Sequence, residues 1–84
     1  MIQLGRRCIC CFDKQTGELV KEIPFKGITL RDLQGIFSVS IDDEMIEVYD
    51  VTASHARQLQ NFLPEKLDLN RYDYELHCYA ISVS

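Results

Sequence analysis

The sequence has no apolar run near the ~20 residues that a membrane-spanning helix requires. It has no glycine-rich loop of the kind that cradles phosphate, and no internal repeat, low-complexity tract or linker divides it. Basic side chains are the scarcer charge, nine against thirteen acidic, for a net charge of −4. That balance fits a basic protein surface better than a nucleic-acid backbone as a partner. Arg6 and Arg7 are too few and too isolated to form a nucleic-acid footprint. The start "MIQLGRR" sets its arginines after a short apolar stretch with no hydrophobic core behind them, the reverse of a secretory leader's order. A cytoplasmic location is therefore expected, and there cysteines stay reduced.

What is present describes one small folded unit. The 84 residues are 46% hydrophobic and 26% charged, ordinary values for a globular protein rather than a disordered one. A chain this short buries roughly 60 to 65% of its unfolded surface and cannot divide that core, so residues 1–84 are expected to form a single domain.

Three of the four cysteines fall in "RCICCF", at positions 8, 10 and 11. Redox and metal sites usually space two cysteines as C-x-x-C, because a turn must bring both sulfurs to one point; that spacing is absent here. In an extended segment Cys8, Cys10 and Phe12 point one way while Ile9 and Cys11 point the other. Both faces are apolar, which predicts a central strand with packed cysteines. "DKQTGE" supplies turn chemistry through Asp13, Thr16 and Gly17, and "LVKEIPF" reads as a second strand ended by Pro24, completing a hairpin.

Leu30, Leu33, Ile36 and Phe37 then recur at helical spacing, with Thr29 as N-cap and Asp32 completing a capping box. "EMIEVYDV", residues 44 to 51, alternates again and predicts a third strand, with Ile46 and Val48 inward and Met45, Glu47 and Tyr49 outward. Thr52 caps a second helix, Val51 staples back onto Ala56, and Ala56, Leu59, Phe62 and Leu63 form the buried stripe until Pro64 stops it. "YDYELHCYAIS" is the last strand. Tyr72, Tyr74, Leu76, Cys78 and Ala80 share one face; Asp73, Glu75, His77, Tyr79 and Ile81 share the other. The fold class that follows is α+β, a twisted antiparallel sheet of about four strands with two short helices.

Catalysis finds little support. His55 and His77 belong to no nucleophile-base-acid order, and Asp42 with Asp43 sits in a turn-like stretch where acids serve solvation. A zinc site from Cys8, Cys10, Cys78 and His77 fails because the consecutive His77 and Cys78 point to opposite sides of a strand. No cofactor, metal or enzymatic activity is expected, and the cysteines are expected to pack rather than bind zinc or form disulfides. The exposed sheet face remains, where alternation aligns Glu47 and Tyr49 with Asp73, Glu75, His77 and Tyr79. Pattern alone favours a solvated face, although acids interleaved with aromatics also suit protein binding, the rings anchoring and the carboxylates steering a basic partner.

"FDKQTGE" after the first strand, "YDV" opening a helix that contains "LQ", and the tyrosine-rich "YDYELHCYA" together resemble the cloacin immunity proteins, over nearly the whole chain. That family protects bacteria from the ribonuclease domains of cloacin and related colicins. The resemblance implies a bacteriocin immunity protein, an inhibitor without catalytic activity, that grips the basic, ribosomal-RNA-cleaving ribonuclease domain of a cognate toxin with acidic and aromatic sheet residues. It implies no direct contact with nucleic acid or membrane. By position it points to Phe12 and Asp13 at the end of the first strand, to Glu47, Val48 and Tyr49 in the third, and to Asp73, Glu75, His77 and Tyr79 in the last. Arg6, Arg7 and the cysteines stand where the family carries more phenylalanine and tryptophan, and the chain is less acidic than the family, departures that bear on which toxin is bound. The other class open to the sequence is a small cytosolic domain that binds a different protein or acts through its cysteines. In either class an exposed edge strand would allow a homodimer.

Overall fold

The structure, a computed structural model, describes residues 2–82, with side chains described from Arg6 to Tyr79. The fold is the expected α+β arrangement. Strand β1 (Ile2–Asp13) and β2 (Leu19–Pro24) form the hairpin; α1 (Leu30–Ile36), β3 (Tyr49–Asp50), α2 (Ala53–Leu59) with a 3-10 turn (Gln60–Phe62), and β4 (Tyr72–Ser82) follow. The antiparallel sheet has the order β2-β1-β4-β3, so the first and last strands lie side by side at its centre.

Local signals act where the sequence places them. The Asp13 carboxylate accepts from the Gln15 and Thr16 amides at 2.7 and 3.2 Å, and Gly17 takes φ 76°, a left-handed conformation that glycine adopts without steric cost. Thr29 accepts from the Asp32 amide at 3.1 Å while the Asp32 carboxylate accepts from the Thr29 amide at 3.0 Å. At α2 the same reciprocal box joins Thr52 and His55, with His55 Nδ1 accepting from the Thr52 amide at 3.2 Å. Each cap supports its seven-residue helix by about 1 kcal/mol.

One apolar cluster joins Ile9, Cys11, Ile23, Tyr74 and Leu76 of the sheet to Leu33, Ala56, Leu59 and Leu63 below it. Both helices therefore cover the same side of the sheet, giving two layers. Val51 and Ala56 are both buried in this cluster, as the staple requires.

The segment predicted as a full third strand differs. Only Tyr49 and Asp50 pair, with Leu76 and Glu75, and the preceding residues form a loop. Met45 adopts φ 52° and is fully buried, whereas Ile46 and Val48 are 55% and 54% exposed, the reverse of the expected facing. The left-handed turn at Met45 ends the extended run, so a period-2 reading through it assigns the wrong sides. Polar contacts from α1 and β1 hold the loop. The buried Gln34 amide donates to the Ile41 and Asp43 carbonyls at 3.0 and 2.8 Å, and Arg7 donates to the Glu44 carbonyl at 2.7 Å.

This arrangement orders the cost of truncation. Met45→Ala is expected to destabilise the protein by about 2–5 kcal/mol, as for other buried large-to-small changes. Ile46→Ala, beside it, is expected to stay within about 0.5 kcal/mol. Urea denaturation of the two variants measures both, and equal losses would contradict the loop conformation.

Candidate functional site: the open face of the sheet

The side of the sheet away from the helices is built by register. Directly opposed residues share a face, so the pairs Arg6 with Tyr79, Cys8 with His77, Cys10 with Glu75 and Phe12 with Asp73 align across β1 and β4. On the other flank of β1, Cys8 faces Pro24 and Cys10 faces Glu22. Asp50 of β3 lies opposite Glu75.

An aromatic row runs along this face. The Phe12 and His77 rings lie 6.3 Å apart, His77 stacks on Tyr79 at 6.1 Å, and the Arg6 guanidinium sits 5.6 Å from the Tyr79 ring centre. Carboxylates flank it. Glu75 lies 2.9 Å from His77 Nε2, Asp73 pairs with Lys14 at 3.0 Å, and Glu22 lies 3.5 Å from Arg6. Tyr79 leans across β1, its hydroxyl donating to Glu22 Oε2 at 2.5 Å. The Cys10 sulfur lies 3.7 Å from the Tyr79 oxygen, within hydrogen-bonding reach.

Cys8 and Cys10 are buried at 2% and 1% exposure, yet neither belongs to the apolar cluster beneath the sheet. They are short side chains on a central strand, shaded by longer neighbours. Burial pushes the Cys8 thiol up to about 12 from an ordinary 9.0, with the adjacent Cys10 and Glu22 adding to the rise. The hydrogen bond that its hydroxyl donates to Glu22 is the first cause raising the Tyr79 phenol above its usual range. Cys11, on the helix-covered side, is raised by burial.

The structure keeps Asp73, Glu75, His77 and Tyr79 on one face, as the alternation of the last strand expects, and sets Phe12, to which the resemblance points, beside them. Ala80 and Ile81 lie outside the described side chains. Four other positions sit elsewhere. Asp13 is engaged in the hairpin turn, and Glu47 and Val48 are exposed on the loop before β3. Tyr49 faces the helices rather than the open side, its ring 5.6 Å from Phe37 and its hydroxyl donating to Asp43 at 3.5 Å, because the turn at Met45 resets the phase. His55 is a capping and packing residue, 4.2 Å from the Phe37 ring. Arg6 and Glu22 join the face unforeseen. The alternation of β2 shows that Glu22 lies opposite Ile23, but a register shift between Cys11 and Phe12 hides its neighbour from any count through the hairpin.

The architecture defines a two-layer α+β domain whose sheet presents an aromatic, carboxylate-flanked open side. Residues 6–77 match the model of a family described as "Domain of unknown function (DUF7683)", and the chain belongs to that family. No curated protein matches the chain. No helix among the described residues is long and apolar enough to cross a membrane.

The raised thiol and phenols set a dependence on alkaline pH. Folding holds the Cys8 proton to about pH 12, while an unfolded thiol releases its proton near 9.0. The folded state then binds the extra proton between those values, so stability is full below pH 9.0 and falls as pH rises toward 12. Tyr79, Tyr74 and Tyr49, all raised above 10.0, steepen the fall beyond that pH. Denaturation midpoints measured across this range should decline for the native sequence and decline less for Cys8→Ala. Equal slopes would show that Cys8 does not titrate as its surroundings require.

Proposed function

We propose that this domain binds a protein partner through the open face of its sheet, without catalysing a reaction, and that the partner is the basic ribonuclease domain of a cognate bacteriocin. The protein would act as an immunity factor in the cytoplasm of the cell it protects. The observation that carries this reading is the contiguous row Phe12, His77 and Tyr79, flanked by Glu22, Asp73 and Glu75 on the face opposite α1 and α2.

Rings at the centre of an interface supply area at low entropic cost, and carboxylates around them draw in a basic surface. The net charge of −4 has the same sense. The toxin itself comes from the resemblance of "FDKQTGE", "YDV" and "YDYELHCYA" to cloacin immunity proteins. Phe12, Asp73, Glu75, His77 and Tyr79 are the contact residues on this reading; Glu47 and Val48 extend it along the loop, while Asp13 and Tyr49 serve the fold.

The test is binding to the ribonuclease domain of a bacteriocin encoded beside the gene, followed as a function of salt. Association should slow by roughly tenfold between low and high ionic strength while dissociation changes little. Tyr79→Ala should weaken the complex by about thirtyfold, the equivalent of ~2 kcal/mol for a central aromatic anchor. Tyr79→Phe, which keeps the ring, should bind within a few-fold of the native protein. A complex indifferent to Tyr79→Ala places the interface elsewhere, and absence of any complex rejects the immunity reading.

A further inference from the structure

We propose that Cys8, Cys10 and Glu22 form a binding site for a thiophilic divalent cation, zinc, on the open face of the sheet. The proposal is independent of what protein occupies that face.

The donors converge from two paired strands. Cys8 and Cys10 are alternate residues of β1 and so project to one side, and the register that sets Glu22 opposite Cys10 brings in a carboxylate from β2. The two sulfurs and a Glu22 oxygen all lie within 4.8 Å of one another. Tetrahedral zinc, with bonds of about 2.3 Å to sulfur and about 2.0–2.2 Å to oxygen, holds its ligand atoms about 3.5–3.8 Å apart. Small side-chain rotations bring the three donors to that spacing. The Tyr79 hydroxyl, 2.5 Å from Glu22 and 3.7 Å from Cys10, stands over the remaining corner, where it or a water completes four-coordination.

Ordinary packing does not account for these thiols. Cys11, on the other face of the same strand, belongs to the cluster of Ile9, Ile23 and Leu76, as a packed cysteine should. Cys8 and Cys10 instead abut a carboxylate and a phenol. A disulfide between them is also disfavoured, because alternate residues of an extended strand are about 6.5–7 Å apart at Cα, at or beyond the bridging limit.

Charge closes the account. Two thiolates and one carboxylate carry three negative charges, the cation supplies two positive ones, and the Arg6 guanidinium 3.5 Å from Glu22 supplies the third. Zinc takes its sulfur ligands as thiolates, whereas a thiol ordinarily keeps its proton at neutral pH. Metal entry must therefore displace both thiol protons, and affinity should fall steeply as the solution is acidified.

Anaerobic titration of the reduced, full-length protein with cobalt(II), a spectroscopic substitute for zinc, tests the site directly. Expected are saturation at one equivalent, thiolate-to-cobalt charge-transfer absorption with tetrahedral visible bands, release of about two protons near neutral pH, and displacement by zinc. Cys8→Ser and Cys10→Ser should each abolish the charge-transfer bands, Glu22→Gln should lower affinity by about tenfold or more, and Cys78→Ser should change nothing. No thiolate-to-cobalt absorption in the native protein overturns the proposal without recourse to any variant. So do bands that persist in Cys8→Ser or Cys10→Ser, or an affinity unchanged in Glu22→Gln, whose partly exposed side chain makes unfolding a poor explanation for a loss. Because toxin binding is read in a separate measurement, failure of either proposal leaves the other standing.

Discussion

The antiparallel pairing of β1 with β4 is the constraint on which the rest of the structure depends. It joins the segments 2–13 and 72–82, far apart in the chain, and places both at the centre of the sheet. Once Ile9 is opposite Leu76 and Cys11 opposite Tyr74, the side facing the helices is settled, and with it the opposite side bearing Cys8, Cys10, Phe12, Glu75, His77 and Tyr79. A slip of one residue would send the charged and aromatic set into the core and the aliphatic set to water. The apolar cluster therefore does more than stabilise: it selects the register that assembles the open face.

The helix layer is held by polar groups as well as apolar ones. Gln34 is buried at 5% exposure, and its two amide donations to the Ile41 and Asp43 carbonyls satisfy a loop that has no ladder of its own. Arg7, leaving β1 on the helix side, binds the Glu44 carbonyl and ties the same loop to the central strand. These contacts let Met45 take a left-handed backbone and drop its side chain into the core. The adjacent arginines thus serve opposite sides, Arg7 the fold and Arg6 the open face.

One strand also gives its cysteines different chemistry. Cys11 is surrounded by aliphatic side chains and the Tyr74 ring system, whereas Cys8 and Cys10 are shaded from water by polar groups that could share a proton or a cation. Burial raises both Cys8 and Cys11, so burial alone does not distinguish a packed thiol from a thiol held ready for a ligand. The neighbours do.

The sequence by itself determined whatever depends on residues close together in the chain. Thr29 and Asp32, Thr52 and His55, Asp13 and Gly17 interact across three or four positions, and Ala56, Leu59 and Leu63 follow from helical period, so caps, turn, helices and the facing of β1 and β4 were legible. Asp73, Glu75, His77 and Tyr79 were legible for the same reason, alternation within one strand, whereas Phe12 joins them only through the pairing of β1 with β4. Tertiary structure decided what depends on pairing and on interruptions of period. The register shift after Cys11 set Glu22 beside Cys10, and the left-handed Met45, stabilised by contacts from Gln34 and Arg7, put Tyr49 under the sheet and Val48 in solvent. The register shift is fixed by pairing that only the closed sheet supplies, and at Met45 one short-range bond, from its amide to the Asp43 carboxylate at 2.8 Å, acts together with the reach of Arg7 from the central strand.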